Sequence, residues 1–280
     1  MKMRIIRAEH AGACYGVDRA LSMVREAVER YGAPVYTLGP LIHNPTAVRE
    51  LEAIGVFAID SVASIDTGTL VIRSHGVEPS VIEEARVKGL RVIDATCPHV
   101  SKAHKSASRL TSEGYSVVVV GEAGHPEVDG ICGYAGADCI VVSDAKSLPE
   151  HLPSEHIGVV VQTTQSEQTF DDVVKTLRDR VDDLKVFDTI CFATQLRQKA
   201  AAQLAGNVDT MIVVGGRNSG NTRRLFEISS QECDNVHHVE SADEIDPAWF
   251  SECASVGVTA GASTPESQIV AVLGRLEELS

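Results

Sequence analysis

Short runs of β-branched residues recur along the chain and limit the folds open to it. The runs are PVYTLGP, GTLVIRSHG, LRVIDATC, YSVVVVGEAGH, HIGVVVQTT, LKVFDTIC, TMIVVGGRNS and ASVGVTAGAS. They lack the alternation of a one-sided sheet, so we interpret them as fully buried strands. Between them apolar residues follow helical spacing, as at Val17, Ala20, Leu21 and Val24. This alternation predicts an α/β fold with parallel sheets.

Three cysteines mark a weak internal repeat. Cys14, Cys97 and Cys191 each precede an amphipathic segment, and the last two follow strands that end in Asp, in VIDATC and VFDTIC. The repeat predicts three α/β units of similar size, each opening with a cysteine at a strand-to-helix turn. We expect the boundaries to be 1–96, 97–190 and 191–280, and the third unit to include a C-terminal closing segment.

Composition excludes several classes of partner. The chain carries 39 acidic and 25 basic residues, a formal net charge of -14 that repels nucleic acid and anionic membranes. No run approaches the ~18 apolar residues of a membrane span, and MKMRIIRAEH is too short and too polar for a signal peptide. We therefore expect a cytoplasmic location, where the seven cysteines would remain thiols.

Polar residues gather where the expected strands end. In open parallel sheets, ligands bind beyond the carboxyl ends of the strands. The residues at those ends are His43, His75, Cys97, His125, Glu127, Thr163, Thr164, Cys191, Ser219, Asn221 and Ser263. Cysteine, histidine, carboxylate and small hydroxyl or amide side chains therefore share one kind of location.

The stretch GGRNSGNT resembles a phosphate-binding loop without completing it. Gly215 and the run from Gly220 to Thr222 nearly match G-x-x-x-x-G-K-S/T, but Asn221 stands where the motif has lysine. This excludes a nucleoside triphosphatase of that type. A glycine-rich turn between a strand and a helix still offers N–H groups to a phosphate, and a plain helix-capping loop is the alternative.

The cysteine spacing argues against familiar metal motifs. Structural zinc sites use close C-x-x-C pairs, and ferredoxins use C-x-x-C-x-x-C; the chain has neither. Three distant cysteines at equivalent places fit a cluster held where three units meet, although buried core cysteines are an open alternative. A four-iron cluster on three thiolates leaves one iron open, which suits reductive or eliminative chemistry on an oxygen-bearing substrate.

The two histidines beside Cys97 raise the alternative of a local Cys/His metal site in RVIDATCPHVSKAHK. The expected buried stripe of this helix comprises Val100, Ala103, Ala107 and Leu110. His99 lies in the first turn and His104 lies beside the stripe. We therefore interpret both as residues of the helix surface or of the site's surroundings.

Nine motifs in register resemble one enzyme family. GACYGVDRA, GPLIHNP, RSHGV, DATCP, GHPEVDG, VVQTTQS, DTICFAT, NSGNTRRL and VTAGAS resemble 4-hydroxy-3-methylbut-2-enyl diphosphate reductases of the methylerythritol phosphate route to isoprenoids. The resemblance extends from about residue 10 to residue 268. It implies a trefoil of three α/β units around a 4Fe-4S cluster held by Cys14, Cys97 and Cys191.

The resemblance also implies a reaction. Two electrons and protons remove the allylic hydroxyl as water, leaving isopentenyl and dimethylallyl diphosphate, with the hydroxyl bound at the open iron. Glu127 would relay protons, Thr163 would position the substrate, and His125 would serve both catalysis and binding. The implied diphosphate ligands are His43, His75, His125, Ser219, Gly220, Asn221 and Ser263.

Two positions depart from the family pattern. Gly220 stands where many members have a second serine, so a backbone N–H would replace a hydroxyl, and Tyr15 is bulkier than usual beside Cys14. The electron donor typical of the family is a ferredoxin or flavodoxin. Two alternatives stay open at this point: an iron-sulfur hydro-lyase, and a non-catalytic electron carrier or redox sensor.

Overall fold

Three four-stranded sheets, all parallel, organise the computed structural model, which describes residues 3–251 and 253–280. The α/β class and the parallel sheets are as predicted. The chain forms two compact units. Unit 1 comprises the described residues of Met1–Val17, His43–Ala47 and Phe192–Ser280, and unit 2 comprises Asp18–Ile42 and Val48–Cys191.

The strands and helices of the described residues alternate along the chain. The strands are β1 (Arg4–Arg7), β2 (Val35–Leu38), β3 (Val56–Ile59), β4 (Thr69–Ile72), β5 (Arg91–Asp94), β6 (Ser116–Val120), β7 (Ile140–Val142), β8 (His156–Val161), β9 (Asp183–Phe187), β10 (Thr210–Val214), β11 (Val236–Val239) and β12 (Ser255–Ala260). The α-helices are α1 (Tyr15–Tyr31), α2 (Pro45–Ala53), α3 (Pro79–Val87), α4 (Pro98–Ser112), α5 (Pro126–Ala135), α6 (Glu167–Arg178), α7 (Phe192–Ala205), α8 (Gly220–Glu232) and α9 (Glu266–Leu279).

Unit 1 contains one sheet, with strand order β1-β12-β10-β11. The N-terminal strand pairs with β12, from Arg4 opposite Ser255 to Arg7 opposite Val258. The central strands β10 and β12 are almost wholly buried, and Ile269 on α9 packs against them in one apolar cluster. Burial of β-branched side chains on both faces explains their continuous apolar sequence.

Unit 2 contains two sheets, with strand orders β3-β2-β4-β5 and β7-β6-β8-β9. Helix α4 packs on β8 so closely that a Cβ at Gly158 would lie 2.6 Å from the side chain of Leu110. Helix α5 packs against α4 in one apolar cluster, which also contains Val117 and Val119 of β6. This helix pair fixes the segments that follow β5 and β6.

Every sheet has the same order of strands, and each ends in an edge strand that leads to a cysteine. The edge strands β5 and β9 precede Cys97 and Cys191, and β1 precedes Cys14. From each cysteine a helix leads to the central strand of the next sheet in the chain: α1 to β2, α4 to β6 and α7 to β10. The three-part repeat inferred from the cysteines is therefore present in the strand order.

Two of the expected strands are less buried than expected. LRVIDATC and LKVFDTIC form β5 and β9, which are partly exposed along their length because they are edge strands with one open side. Of the other four strands, β11 lies in NVHHVES, which the sequence also predicts as a strand, whereas β1, β3 and β7 were not expected. These three are edge strands of three or four residues that are partly exposed, so their apolar pattern is weak.

The division at 1–96, 97–190 and 191–280 stays a prediction. The pairing of β1 with β12 adds one feature to it, because residues 4–7 complete the sheet of the C-terminal segment. Among the described residues, none of the helices combines the length and the apolar character needed to cross a membrane.

Candidate active site

In unit 2, the loops that contain Cys97 and Cys191 are fixed by equivalent backbone hydrogen bonds. The N–H of Cys97 donates to the carbonyl of Ser74 at 3.0 Å, and the N–H of Cys191 donates to the carbonyl of Thr163, also at 3.0 Å. Each bond continues the pairing of an edge strand with its neighbour beyond the last ladder residue. Both cysteines therefore lie at the carboxyl end of their sheet.

Two aspartates shape these loops. Asp94 Oδ1 accepts from the N–H of Thr96 at 2.9 Å, and Asp188 Oδ1 accepts from the N–H of Ile190 at 2.9 Å. Each is an Asx turn that closes the chain two residues after the aspartate. These residues were missed as contributors to the site, although the shared Asp in VIDATC and VFDTIC was the signal that could have identified them.

Cys14 in unit 1 repeats the arrangement. Its N–H donates to the carbonyl of Ala262, the loop after β12, at 3.1 Å. The guanidinium of Arg197, only 3% exposed, donates to the carbonyl of Gly12 at 2.9 Å and so supports the same loop. Arg197 was also missed in the sequence analysis, because an arginine within a helical pattern is normally expected to be exposed to solvent.

The chemistry of these three cysteines fits an iron-sulfur cluster. All three are half-buried, and each follows an edge strand and precedes a helix. Thiolates are the usual protein ligands of such clusters. A buried core cysteine would need none of this repeated backbone anchoring.

Glu127, the one carboxylate among the candidate residues, is buried, at 2% exposure. It lies in the first turn of α5, which His125 caps by accepting the N–H of Glu127 on its ring Nδ1 at 3.1 Å. Thr163 satisfies both carboxylate oxygens: its N–H donates to Oε1 at 2.6 Å, and its hydroxyl donates to Oε2 at 2.9 Å. Glu127 and Thr163 are therefore held as a pair.

Burial raises the pKa of Glu127 from 4.5 to about 7, and the two hydrogen bonds from Thr163 only partly oppose it. The shift corresponds to roughly 3 kcal/mol against the charged form. Loss of hydration thus outweighs the hydrogen bonds, and near neutral pH the carboxyl group can hold or release a proton. Such a pKa is matched to proton transfer at working pH.

These contacts join most of the candidate residues of unit 2. Thr163 bonds to Glu127 through its N–H and hydroxyl and accepts from Cys191 through its carbonyl. The rings of His75 and His125 lie edge to face with centroids 5.6 Å apart. The structure brings these residues together at the carboxyl ends of two parallel sheets, as expected from the sequence.

In unit 1, His43, Ser219 and Ser263 lie around a glycine loop. The Ser219 hydroxyl caps α8 by accepting the N–H of Thr222 at 3.3 Å. A Cβ at Gly216 would lie 2.6 Å from the carbonyl oxygen of His43, which the Ser263 hydroxyl also reaches at 3.2 Å. The loop, His43 and Ser263 are therefore in contact.

Asn221, in the first turn of α8, is 5% exposed, and its side-chain oxygen and nitrogen have no hydrogen-bond partner in the described part of the chain. Buried polar groups are nearly always paired, so two unpaired atoms on one amide indicate a ligand. The nearby helix N-terminus favours an anion. This fits a phosphate group better than a plain helix cap does.

His104 does not lie on the helix surface, so of the two places expected from the sequence only the surroundings of the site fit it. His99 is exposed, whereas His104 is 5% exposed. The buried stripe of α4 is wider than Val100, Ala103, Ala107 and Leu110 because the helix packs on a sheet and also on α5. The predicted stripe allowed for the sheet alone.

Comparison with known proteins gives consistent matches. A family model described as LytB protein matches residues 5–277. The 4-hydroxy-3-methylbut-2-enyl diphosphate reductase of Aquifex aeolicus (strain VF5) is 48% identical over 279 residues, covering 98% of this chain and 96% of the relative. The enzyme of that name from Pelobacter propionicus is 49% identical over 278 residues, covering 99% of each chain.

Two solved structures are similar. One, of (E)-4-hydroxy-3-methyl-but-2-enyl diphosphate reductase, the terminal enzyme of the non-mevalonate pathway, is 47% identical, with a TM-score of 0.72 and 99% of each chain covered. The other, the E-1-hydroxy-2-methyl-but-2-enyl-4-diphosphate reductase from Plasmodium falciparum, is 27% identical, with a TM-score of 0.92, and covers 98% of this chain and 88% of that one.

The buried carboxyl of Glu127 should make stability depend on pH. Its folded pKa of about 7 exceeds the ordinary 4.5, so its contribution is fully present below pH 4.5 and is lost as the pH rises through 7. Glu127→Gln removes this loss. In urea unfolding of the iron-free protein, the free energy of unfolding of the variant relative to that of the parent should rise by up to about 3 kcal/mol between pH 5 and pH 8.

The matched control is Glu83→Gln on α3, where the carboxylate is exposed. Its stability difference from the parent should stay constant over the same pH range. A constant difference for Glu127→Gln as well would contradict the raised pKa.

Proposed function

Because the chain belongs to the LytB protein family, we propose that it removes the allylic hydroxyl of 4-hydroxy-3-methylbut-2-enyl diphosphate by reduction, yielding isopentenyl and dimethylallyl diphosphate. It is a reductase: relatives nearly half identical over their whole length carry that name. The hydro-lyase and the electron carrier are not favoured, because the relatives are named as reductases.

Cys14, Cys97 and Cys191 hold a 4Fe-4S cluster in this proposal. The support is their thiol chemistry and the equivalent backbone bond that each makes at its sheet end. When bound, such a cluster supplies electrons singly and offers an iron without a protein ligand to the substrate oxygen.

Glu127 delivers a proton to the departing hydroxyl. The observation that carries this role is its burial, with both oxygens fixed by Thr163 on the segment that bonds to Cys191. Hydroxide is a poor leaving group, whereas water formed by protonation leaves readily. Thr163 orients the carboxyl and the substrate, and His125 caps the helix that carries Glu127 and contributes to binding and catalysis.

The diphosphate is bound by His43, His75, His125, Ser219, Gly220, Asn221 and Ser263. The unpaired amide of Asn221 supports this assignment most directly. Gly220 begins α8, so a backbone N–H at the helix N-terminus can take the place of the second serine hydroxyl. These donors bind the anion mainly through N–H and O–H groups and the helix dipole.

Electrons come from a small carrier protein such as a ferredoxin or flavodoxin, and the reaction takes place in the cytoplasm. None of the seven cysteines, all within the described residues, forms a disulfide, which suits a reducing compartment.

Reductant dependence tests the function. Protein purified without oxygen should be brown, contain about four irons per chain and convert the allylic diphosphate only when a reductant is supplied. Product analysis by mass spectrometry distinguishes the outcomes. Conversion without a reductant would indicate the hydro-lyase, and a cluster that transfers electrons but leaves the substrate intact would indicate a carrier.

Cys97→Ser tests the ligand assignment. Loss of one thiolate should lower iron content and cluster stability, since the serine hydroxyl is a poor substitute for a soft ligand. Cys253→Ser is the control: that thiol lies 3.1 Å from the carbonyl of Ser255, a contact that a hydroxyl can also make. Unchanged iron in Cys97→Ser, measured against the control, would refute the assignment.

Glu127→Gln should keep the cluster and lose turnover by roughly 10²- to 10⁴-fold, the usual contribution of a general acid. In the parent, kcat should fall as the pH rises above about 7, because Glu127 then loses the proton that it donates. Steady-state rates with a chemical reductant at constant potential measure both effects. Parent-like turnover in the variant would remove Glu127 from the mechanism.

A further inference from the structure

His104 lies at the centre of a three-way packing contact within unit 2. It is on α4, the helix that begins directly after Cys97, and is 5% exposed. Its ring stacks on Tyr134 of α5, with centroids 4.5 Å apart and planes inclined by 18°. The ring is thus held flat between α4 and α5.

Two glycines make room for this ring. A Cβ at Gly76 would lie 2.4 Å from Cε1 of His104, and a Cβ at Gly130 would lie 3.1 Å from Nε2. Gly76 also has a φ of +70°, which favours glycine. Larger residues at either position would displace the imidazole or the segment that carries the glycine.

Each glycine belongs to a segment that carries candidate site residues. Gly76 directly follows His75, and Gly130 is three residues after Glu127 on α5. The helix of His104 itself starts at the loop of Cys97. The ring of His104, on the helix that follows a proposed iron ligand, therefore lies against both the diphosphate-binding turn and the helix of the proton donor.

The ring acts by shape. Burial lowers the pKa of His104 to about 4, against the opposing effect of Asp94, so the imidazole is neutral at working pH. Its Nε2 is buried and has no hydrogen-bond partner in the described parts of the chain. Neither charge nor a hydrogen bond from Nε2 therefore explains its place between two glycines.

We propose that His104 is a positioning residue, whose ring sets the spacing between the His75 turn and the start of α5. This inference rests on the proposed function, in which His75 and His125 bind diphosphate and Glu127 donates the proton. Packed interiors transmit such changes, because a ring removed from a close-packed contact leaves a cavity into which neighbours relax.

A double-mutant cycle tests the contact. Gly130→Ala adds a methyl group at 3.1 Å from Nε2, so in the parent it should push the ring and lower kcat/KM. In a His104→Ala background the same methyl enters vacated space, so it should be neutral or restore activity. This reversal of sign is the expected coupling between residues in contact.

Gly133→Ala is the matched control on the same helix. The atoms nearest its added Cβ all belong to Glu78 on the preceding segment, the closest at 2.3 Å. Its effect should therefore be the same with and without His104. Coupling of equal size at Gly133 and Gly130 would indicate general loosening of α5 and overturn the proposal.

The decisive readout is the KM for the allylic diphosphate, with the Kd for inorganic diphosphate from calorimetry. His104→Ala should raise both constants by about 10-fold, because misplaced binding groups weaken binding in every folded molecule. A folding defect alone would lower the active fraction and leave KM and Kd unchanged, which would overturn the role. Iron content should match that of the parent.

Failure of the proposed function would look different. If the parent does not convert the allylic diphosphate when reduced, the function fails whatever the variants do. The same double-mutant cycle, measured on the free energy of unfolding, still tests the contact between His104 and Gly130. If the effects of the two substitutions on that free energy were additive, this result alone would overturn the inference.

Discussion

The backbone N–H of each proposed iron ligand donates to the loop after the neighbouring strand, and the rest of the candidate site depends on this bond. It occurs at Cys14, Cys97 and Cys191, with lengths of 3.0 to 3.1 Å. Because the donor is the main chain, the contact fixes the cysteine without using its thiol. Each cysteine lies at the carboxyl end of a parallel sheet, where the next helix begins.

That arrangement also determines what lies beside each cysteine. The carbonyl that accepts from Cys191 belongs to Thr163, and Thr163 holds Glu127 with its two remaining polar groups. Burial raises the pKa of this carboxyl and the two hydrogen bonds from Thr163 lower it. Burial has the larger effect, and the resulting pKa is about 7. Placement of the cysteine and tuning of the acid therefore depend on the same residue.

Many of the strands and the positions of the cysteines could be predicted from the sequence, because they depend on the local pattern of apolar residues. Eight β-branched runs became strands, and the cysteines that open the helices have the expected location. The pairing of β1 with β12 could not be predicted, since it joins residues 4–7 to residues 255–258 through no local signal. The exposure of β5 and β9 depends on sheet order, which a single strand does not encode.

His104 shows why the remainder of the site escaped prediction. Helical periodicity identifies the face of α4 that packs on its sheet, but α4 has a second neighbour in α5, and two contact faces merge into one wide stripe. A histidine at the edge of the first face then becomes buried by the second. What the sequence does contain are Gly76 and Gly130, and their meaning depends on the ring that lies near both. A glycine can indicate a turn, a close approach or neither, and only the partner across the contact decides which.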